Sequence, residues 1–300
     1  MKAVATRASR PLQKREHSMR RFVLPFVLTM SVASTRAAAA QQRPLVTEDP
    51  EVIGAGLVLF EAGLDYGFDQ FFPTSGLTGD LFRIPVLGVS LGVSSIAEVQ
   101  IDGGLHNRLK ITDRREAVLS DMVTATGNST SSVEDITIGT KIRLASETPG
   151  RPALGFRFAT RLPNASNESG IGLDTTDFFA SFLAGKTVQS IRIVSNVGIG
   201  ILGDPTRGDR QNDVLTYGVS VARAVSTGLE VVGEINGRAD TRSGDPPPGT
   251  ESRAAMRLGG RFTHGSGRVD AGIIVGMTSR DPSFGVTFGY TYVFKGFTVP

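Results

Sequence analysis

Apolar and polar residues alternate one by one along most of the chain, and the last long segment shows this most cleanly. In Phe284–Phe294 one face carries Phe284, Val286, Phe288, Tyr290, Tyr292 and Phe294; the other carries Gly285, Thr287, Gly289, Thr291 and Val293. A period of two specifies a β-strand. Eleven earlier segments share the pattern, beginning with Val58, Phe60, Ala62, Leu64, Tyr66 and Phe68 against Glu61, Gly63, Asp65 and Gly67. The register is pinned most firmly in the middle of the chain. There Ile136, Ile138, Ile142 and Leu144 alternate with Thr137, Gly139, Lys141 and Arg143. After a turn at Pro149-Gly150, Leu154, Phe156, Phe158 and Leu162 alternate with Gly155, Arg157, Ala159 and Arg161. Slipping either segment by one residue would move its cations to the apolar side. One segment, about 177–186, is ambiguous, because Phe178 and Phe179 occupy both faces.

The connections between segments alternate in length. Gaps at 69–81, 105–133, 163–176, 203–212, 239–251 and 279–283 are the longer set; those at 94–95, 146–151, 187–188, 225–227 and 264–267 are the shorter. Short turns at one end and long loops at the other are the asymmetry of outer-membrane barrels. An apolar outer face would meet lipid, where each Lys or Arg at the midplane costs roughly 2–4 kcal/mol, and the small, polar face would line a lumen. The expected fold is all-β: a transmembrane antiparallel up-and-down β-barrel of about 12 strands. Ten or fourteen are the other counts, since 177–186 is weakly patterned and 105–133 could hide a hairpin.

The first forty residues stand apart. Arg20-Arg21, an apolar run from Phe22 to Ala33, and Ala37–Ala40 at a small-residue cleavage site read as a secretory signal peptide over residues 1–40. The run is too short for a membrane helix, which needs about 20 apolar residues. Residues 41–300 form the expected barrel, with 41–55, bearing Pro44 and Pro50, as a periplasmic lead-in. The leader holds eight Lys/Arg and one Glu, so the remaining chain carries a net −4 against +3 for the whole. The basic balance belongs to the leader, and no nucleic-acid partner follows from it. The chain has no cysteine, which excludes a lipoprotein anchor, a disulfide framework and Cys-ligated metal. The expected location is the bacterial outer membrane, with lipid as the surrounding partner. The end of the last strand resembles the C-terminal signal read by barrel-assembly machinery, through Thr287, Gly289, Tyr292 and Phe294, although Lys295–Pro300 follow it.

With the strands placed, several motifs resemble one family. Pro44–Pro50 followed by Gly56–Gly63, Phe82-Arg-Ile-Pro85, Glu134–Lys141, Pro152-Ala-Leu and Arg161-Leu-Pro163 look like parts of the outer-membrane family labelled "MetA-pathway of phenol degradation". Asn164 stands where a Thr-Gly often follows in that family. The resemblance implies a barrel that passes aromatic or other small organic compounds. It brings no catalytic or ligand residues with it.

The candidate chemistry lies in the expected lumen. Its cations are Lys141, Arg143, Arg157, Arg161, Arg192, Arg238, Arg253, Arg257 and Arg261; its anions are Glu61, Asp65, Glu98, Asp102, Asp135, Glu230, Glu234 and Asp270. One reading is a transverse field that orients polar solutes in a water-filled pore. The other is a ladder of ion pairs that fills a narrow barrel, since eight strands are just filled and 16–18 leave a channel. The functional expectation is passive uptake of a small-molecule solute, with a closed-lumen structural or surface-interaction barrel as the alternative. An outer-membrane lipid-modifying enzyme would need a His beside a Ser. His106, with Ser120, Ser129 or Ser131, is the one candidate; His264 is expected at the opposite membrane face. No enzyme, metal or cofactor motif emerges. Loop 105–133, rich in Ser and Thr, either folds into the mouth as a constriction or extends into solvent, and its composition favours mobility.

Overall fold

The computed structural model describes residues 43–299; the expected signal peptide lies outside them. Its strands are β1 (Leu57–Phe72), β2 (Leu77–Gly92), β3 (Ala97–Gly104), β4 (Asn107–Arg114), β5 (Ser129–Ser132), β6 (Thr137–Ala145) and β7 (Ala153–Arg161). They continue as β8 (Asp177–Val188), β9 (Ile191–Gly203), β10 (Gln211–Ser226), β11 (Leu229–Asp240), β12 (Arg253–His264), β13 (Gly267–Gly276) and β14 (Phe284–Lys295). All pairings are antiparallel. β14 returns to β1 in the register Leu57↔Lys295 to Phe68↔Phe284, closing the sheet into a barrel.

Twelve strands make the ring, because two of its staves are each built from two pieces. β3 pairs with the inner half of β2 and β4 with its outer half, while β5 pairs with β4 and β6 with β3. Within the expected loop 105–133, Asn107–Arg114 and Ser129–Ser132 are therefore wall, and 115–128 connects the two staves, with a 3₁₀ turn at Ser120–Met122. Alternation could not show this. Arg108 and Lys110 point outward and are exposed, so this part of the wall stands beyond the hydrocarbon and needs no apolar face. The first outer connection also differs from expectation: residues 69–81 are strand apart from the turn at 73–76. That four-residue outer turn is shorter than the inner turn at 146–152, so the length alternation breaks at the first hairpin.

The outward face is apolar almost throughout. Phe182 is 63% exposed, Ile199 56%, Val231 55% and Phe288 51%. A continuous apolar band around a closed barrel is far larger than any patch a soluble monomer leaves in water, and it matches a bilayer. The ambiguous segment resolves here, with Phe178 turned outward and Leu183, 2% exposed, turned inward on the face it shares with Phe179. Tyr66, Phe68, Phe82 and Phe284 cluster toward the outer rim, and Tyr290, Tyr292 and Phe294 stack near the inner one. Amphipathic rings settle at such interfaces.

Residues 43–56 overturn the expectation of a periplasmic lead-in. They lie inside the barrel and follow its inner wall as a strap, passing the strands in reverse order before entering β1. Pro44 packs beside Gly259 and Gly272; Leu45 joins Ala222 and Val232; Thr47 lies over Gly218. Glu48 exchanges hydrogen bonds with Asn196, Pro50 sits against Gly155 and Gly185, and Ile53 rests on Leu59 and Val293. Side chains at Gly155 and Gly185 would occupy the space that Pro50 fills, so the missing Cβ atoms make a bed for the strap.

Candidate functional site

Alternation along the strands turns one set of charges inward, and the strap brings a second set to meet it. Lys141 on β6 is fully buried, 3.1 Å from Glu98 on β3 and 3.3 Å from Glu48 of the strap. Arg157 on β7 lies 3.0 Å from the other Glu48 oxygen and 3.7 Å from Asp102. Arg143 holds Glu51 at 2.7 Å, and Arg192 holds both Asp49 and Glu147. Strap backbone is held too: the N–H groups of Val46 and Thr47 donate to Glu234, and that of Ile53 donates to Glu98. Buried charges are tolerable when paired and hydrogen-bonded in this way, and losing one partner leaves the other uncompensated.

On the opposite wall Arg257 faces Glu234 at 3.4 Å, while Arg261 and Arg268 share Glu230. Arg43, at the start of the strap, lies between Asp65 and Asp270 and donates to Thr287. Glu61 accepts from Thr291. Toward the outer end Arg161 pairs with Asp177 and lies 3.9 Å from Asp135. Most of the residues that the sequence singled out for the lumen enter ion pairs of this kind.

Several partners in that ladder were not legible, Glu48, Asp49, Glu51 and Arg83 among them. Glu48, Asp49 and Glu51 sit in a stretch without periodicity, so nothing local places them in the lumen. Arg83 was hidden differently. Gly63 pairs with Val86 and Asp65 with Arg83, so Leu64 opposes both Ile84 and Pro85. This bulge reverses the faces of β2, and Arg83 turns inward where strict alternation sends it out. There it bonds Asp65 at 3.1 Å and also Glu134. A Pro inside an alternating run was the available signal.

The ladder leaves cavities in the lumen, an outer and an inner one among them. The outer has a volume of about 400 Å³ and is lined by Phe72, Leu81, Val133, Ile171 and Leu173 together with Arg161, Arg238, Arg253, Glu134 and Asp135. The inner, about 320 Å³, lies between the strap and the wall that carries Glu61, Asp65, Asp102 and Arg157. Arg83 and Thr137 belong to the walls of both. The outer loops fold in over the upper chamber. Ser75 donates to the carbonyl of Gly170, and Gly249 packs against Leu173 and Thr74.

The lone enzymatic candidate does not assemble. His106 is exposed at the break between β3 and β4, and no hydrogen bond joins it to Ser120, Ser129 or Ser131. His264 ends β12 at the inner rim. Among the described residues no three His, Asp or Glu side chains gather as a metal site.

No family model matches the chain, and no curated protein matches it either. Solved structures do. An outer-membrane channel of Pseudomonas putida F1, of the COG4313 group, superposes with a TM-score of 0.58 at 12% identity, covering 82% of this chain and 98% of that one. The translocator domain of the autotransporter NalP from Neisseria meningitidis gives 0.46 at 14% identity, over 80% and 89%. The Pseudomonas putida toluene transporter TodX gives 0.39 at 11%, over 82% and 91%. At these identities the likeness is one of architecture: this chain has the fold of a twelve-stranded outer-membrane β-barrel.

Proposed function

We propose that this protein is an outer-membrane channel that passes small organic solutes, aromatic ones among them, down a concentration gradient. The observation that carries the reading is the pair of lumenal chambers with Arg83 and Thr137 in both walls, one above the strap and one beside it. A barrel serving only as a surface scaffold has no need of cavities large enough for a small ligand, which begin at roughly 300 Å³. The strap narrows the inner half, and Arg83, held between Asp65 and Glu134, stands where the chambers meet. Passage then requires the Arg83 side chain to swing aside, and the strap to shift or a solute to slip past it. The last strand, with Thr287 and Gly289 inward and Tyr292 and Phe294 on the lipid side, supports recognition by barrel-assembly machinery during insertion.

The test is planar-bilayer conductance and liposome swelling with refolded protein. Discrete channel events and size-limited solute entry are expected. Their absence, including after removal of the strap contacts described below, retires the channel and leaves the closed-lumen scaffold. That second reading is favoured by one observation, the density of ion pairs between strap and wall.

A further inference from the structure

Among the described residues, two arginines lining the outer chamber stand outside the ladder. Arg43, Arg83, Lys141, Arg143, Arg157, Arg161, Arg192, Arg257, Arg261 and Arg268 each have a carboxylate oxygen within 4.0 Å. Arg238 and Arg253 have none among the described residues. They are not scattered: the two are register partners on β11 and β12, and both line the outer chamber. Arg238 donates only to the carbonyls of Glu251 and Gly249, at 2.9 and 2.7 Å. Among the described residues the Arg253 guanidinium makes no hydrogen bond, and its Nε is buried without a partner. Two adjacent cations repel, and a buried charged donor with no acceptor is costly. Such an arrangement persists where an acceptor arrives from outside.

Resting on the channel reading above, we propose that the outer chamber binds a small organic acid, a carboxylate carried on an apolar body, with Arg238 and Arg253 receiving the carboxylate. The planar guanidinium matches a carboxylate with two parallel bonds, and a pair of them fixes its orientation. The rest of the chamber suits the rest of the ligand. Leu81, Val133, Ile171 and Leu173 supply an apolar wall. The lining charges favour an anion, with four arginines against Glu134 and Asp135. A volume of about 400 Å³ admits a single-ring acid. A fully hydrated inorganic anion would leave the apolar wall unused.

The experiment uses the refolded full barrel in detergent, with benzoate as probe and benzamide as its neutral counterpart, followed by calorimetry. Benzoate should bind at least about tenfold more tightly than benzamide, the difference a charge-assisted hydrogen bond makes. Arg253→Gln should weaken benzoate by a similar factor, leave benzamide unchanged, and be rescued by Arg253→Lys. Folding of each variant is checked by heat-modifiable gel migration, and Arg238→Gln serves as an independent second lesion. Equal binding of the two probes, no benzoate binding at millimolar concentration, or a benzoate affinity indifferent to both substitutions overturns the site. Inorganic phosphate binding as tightly as benzoate overturns the organic-acid assignment. Binding is read without conduction, so a conducting barrel that ignores benzoate sinks only the site, and a closed barrel that binds it sinks only the channel.

Discussion

Asp49 of the strap and Arg192 of β9 meet fork to fork, with Nε 2.9 Å from Oδ2 and Nη2 2.7 Å from Oδ1. This is a two-bonded contact between strap and wall. Bonds to charged groups contribute about 1.5–3 kcal/mol each before solvent screening, and both partners here keep some exposure. Asp49→Ala should therefore shift the strap toward its released state by about tenfold in population, rather than unfold the barrel. Single-channel recording reads this as longer or more frequent openings, with the unfolding midpoint little changed. Identical traces for the variant and the parent protein would show a strap that plays no part in gating.

The strap can also be locked. Thr47 Cβ lies 3.5 Å from the position that a Cβ on Gly218 would take, within the range of about 3.5–4.5 Å found in disulfides. The chain has no cysteine of its own, so Thr47→Cys with Gly218→Cys creates a single pair. Oxidation is expected to suppress conductance and dithiothreitol to restore it. Conductance that ignores the redox state means that solute passes without the strap moving.

Lys141 tests how far the ladder holds the barrel together. It is fully buried between Glu98 and Glu48, and its removal takes from the buried Glu98 its ion-pair partner, while Glu48 keeps Arg157. Lys141→Ala should lower the unfolding free energy by about 3–5 kcal/mol, as breaking other buried pairs does. Adding Glu98→Gln should recover part of the loss, since the two sites are in contact and their effects do not add. Urea unfolding in detergent measures both.

These contacts also mark what the sequence could and could not disclose. The wall was legible wherever it crosses hydrocarbon, because lipid on one side and water on the other impose a period of two. Lys141 and Arg157 could be assigned inward from their spacing alone. The pattern lapses where the surroundings become the same on both faces, which is why Asn107–Arg114 and Ser129–Ser132 read as loop although they are strands. It misleads at Ile84-Pro85, where one bulge exchanges the faces and carries Arg83 inward. The strap is a third case. Its place is decided by pairing with groups such as Arg192, 143 residues away in the chain, and no local signal reports such a partner.

Glu147, in the inner turn between β6 and β7, links acidity to this network. Burial alone would raise its pKa, but the N–H and hydroxyl of Thr187, with Arg192 and Lys186, bring it below the ordinary glutamate value. A carboxyl held down in the folded state adds stability at pH values above its unfolded pKa, near 4.3, and that contribution disappears as pH falls through the folded value. Protonation also takes from Arg192 one of its two carboxylates, the other being Asp49 of the strap. Glu147→Gln should therefore unfold at lower urea than the parent protein at pH 7, with the gap narrowing as the pH falls below the unfolded glutamate value and through the lower folded one. A gap that stays constant over this range would mean that the charge on Glu147 contributes nothing, and that its bonds to Thr187 act as neutral ones.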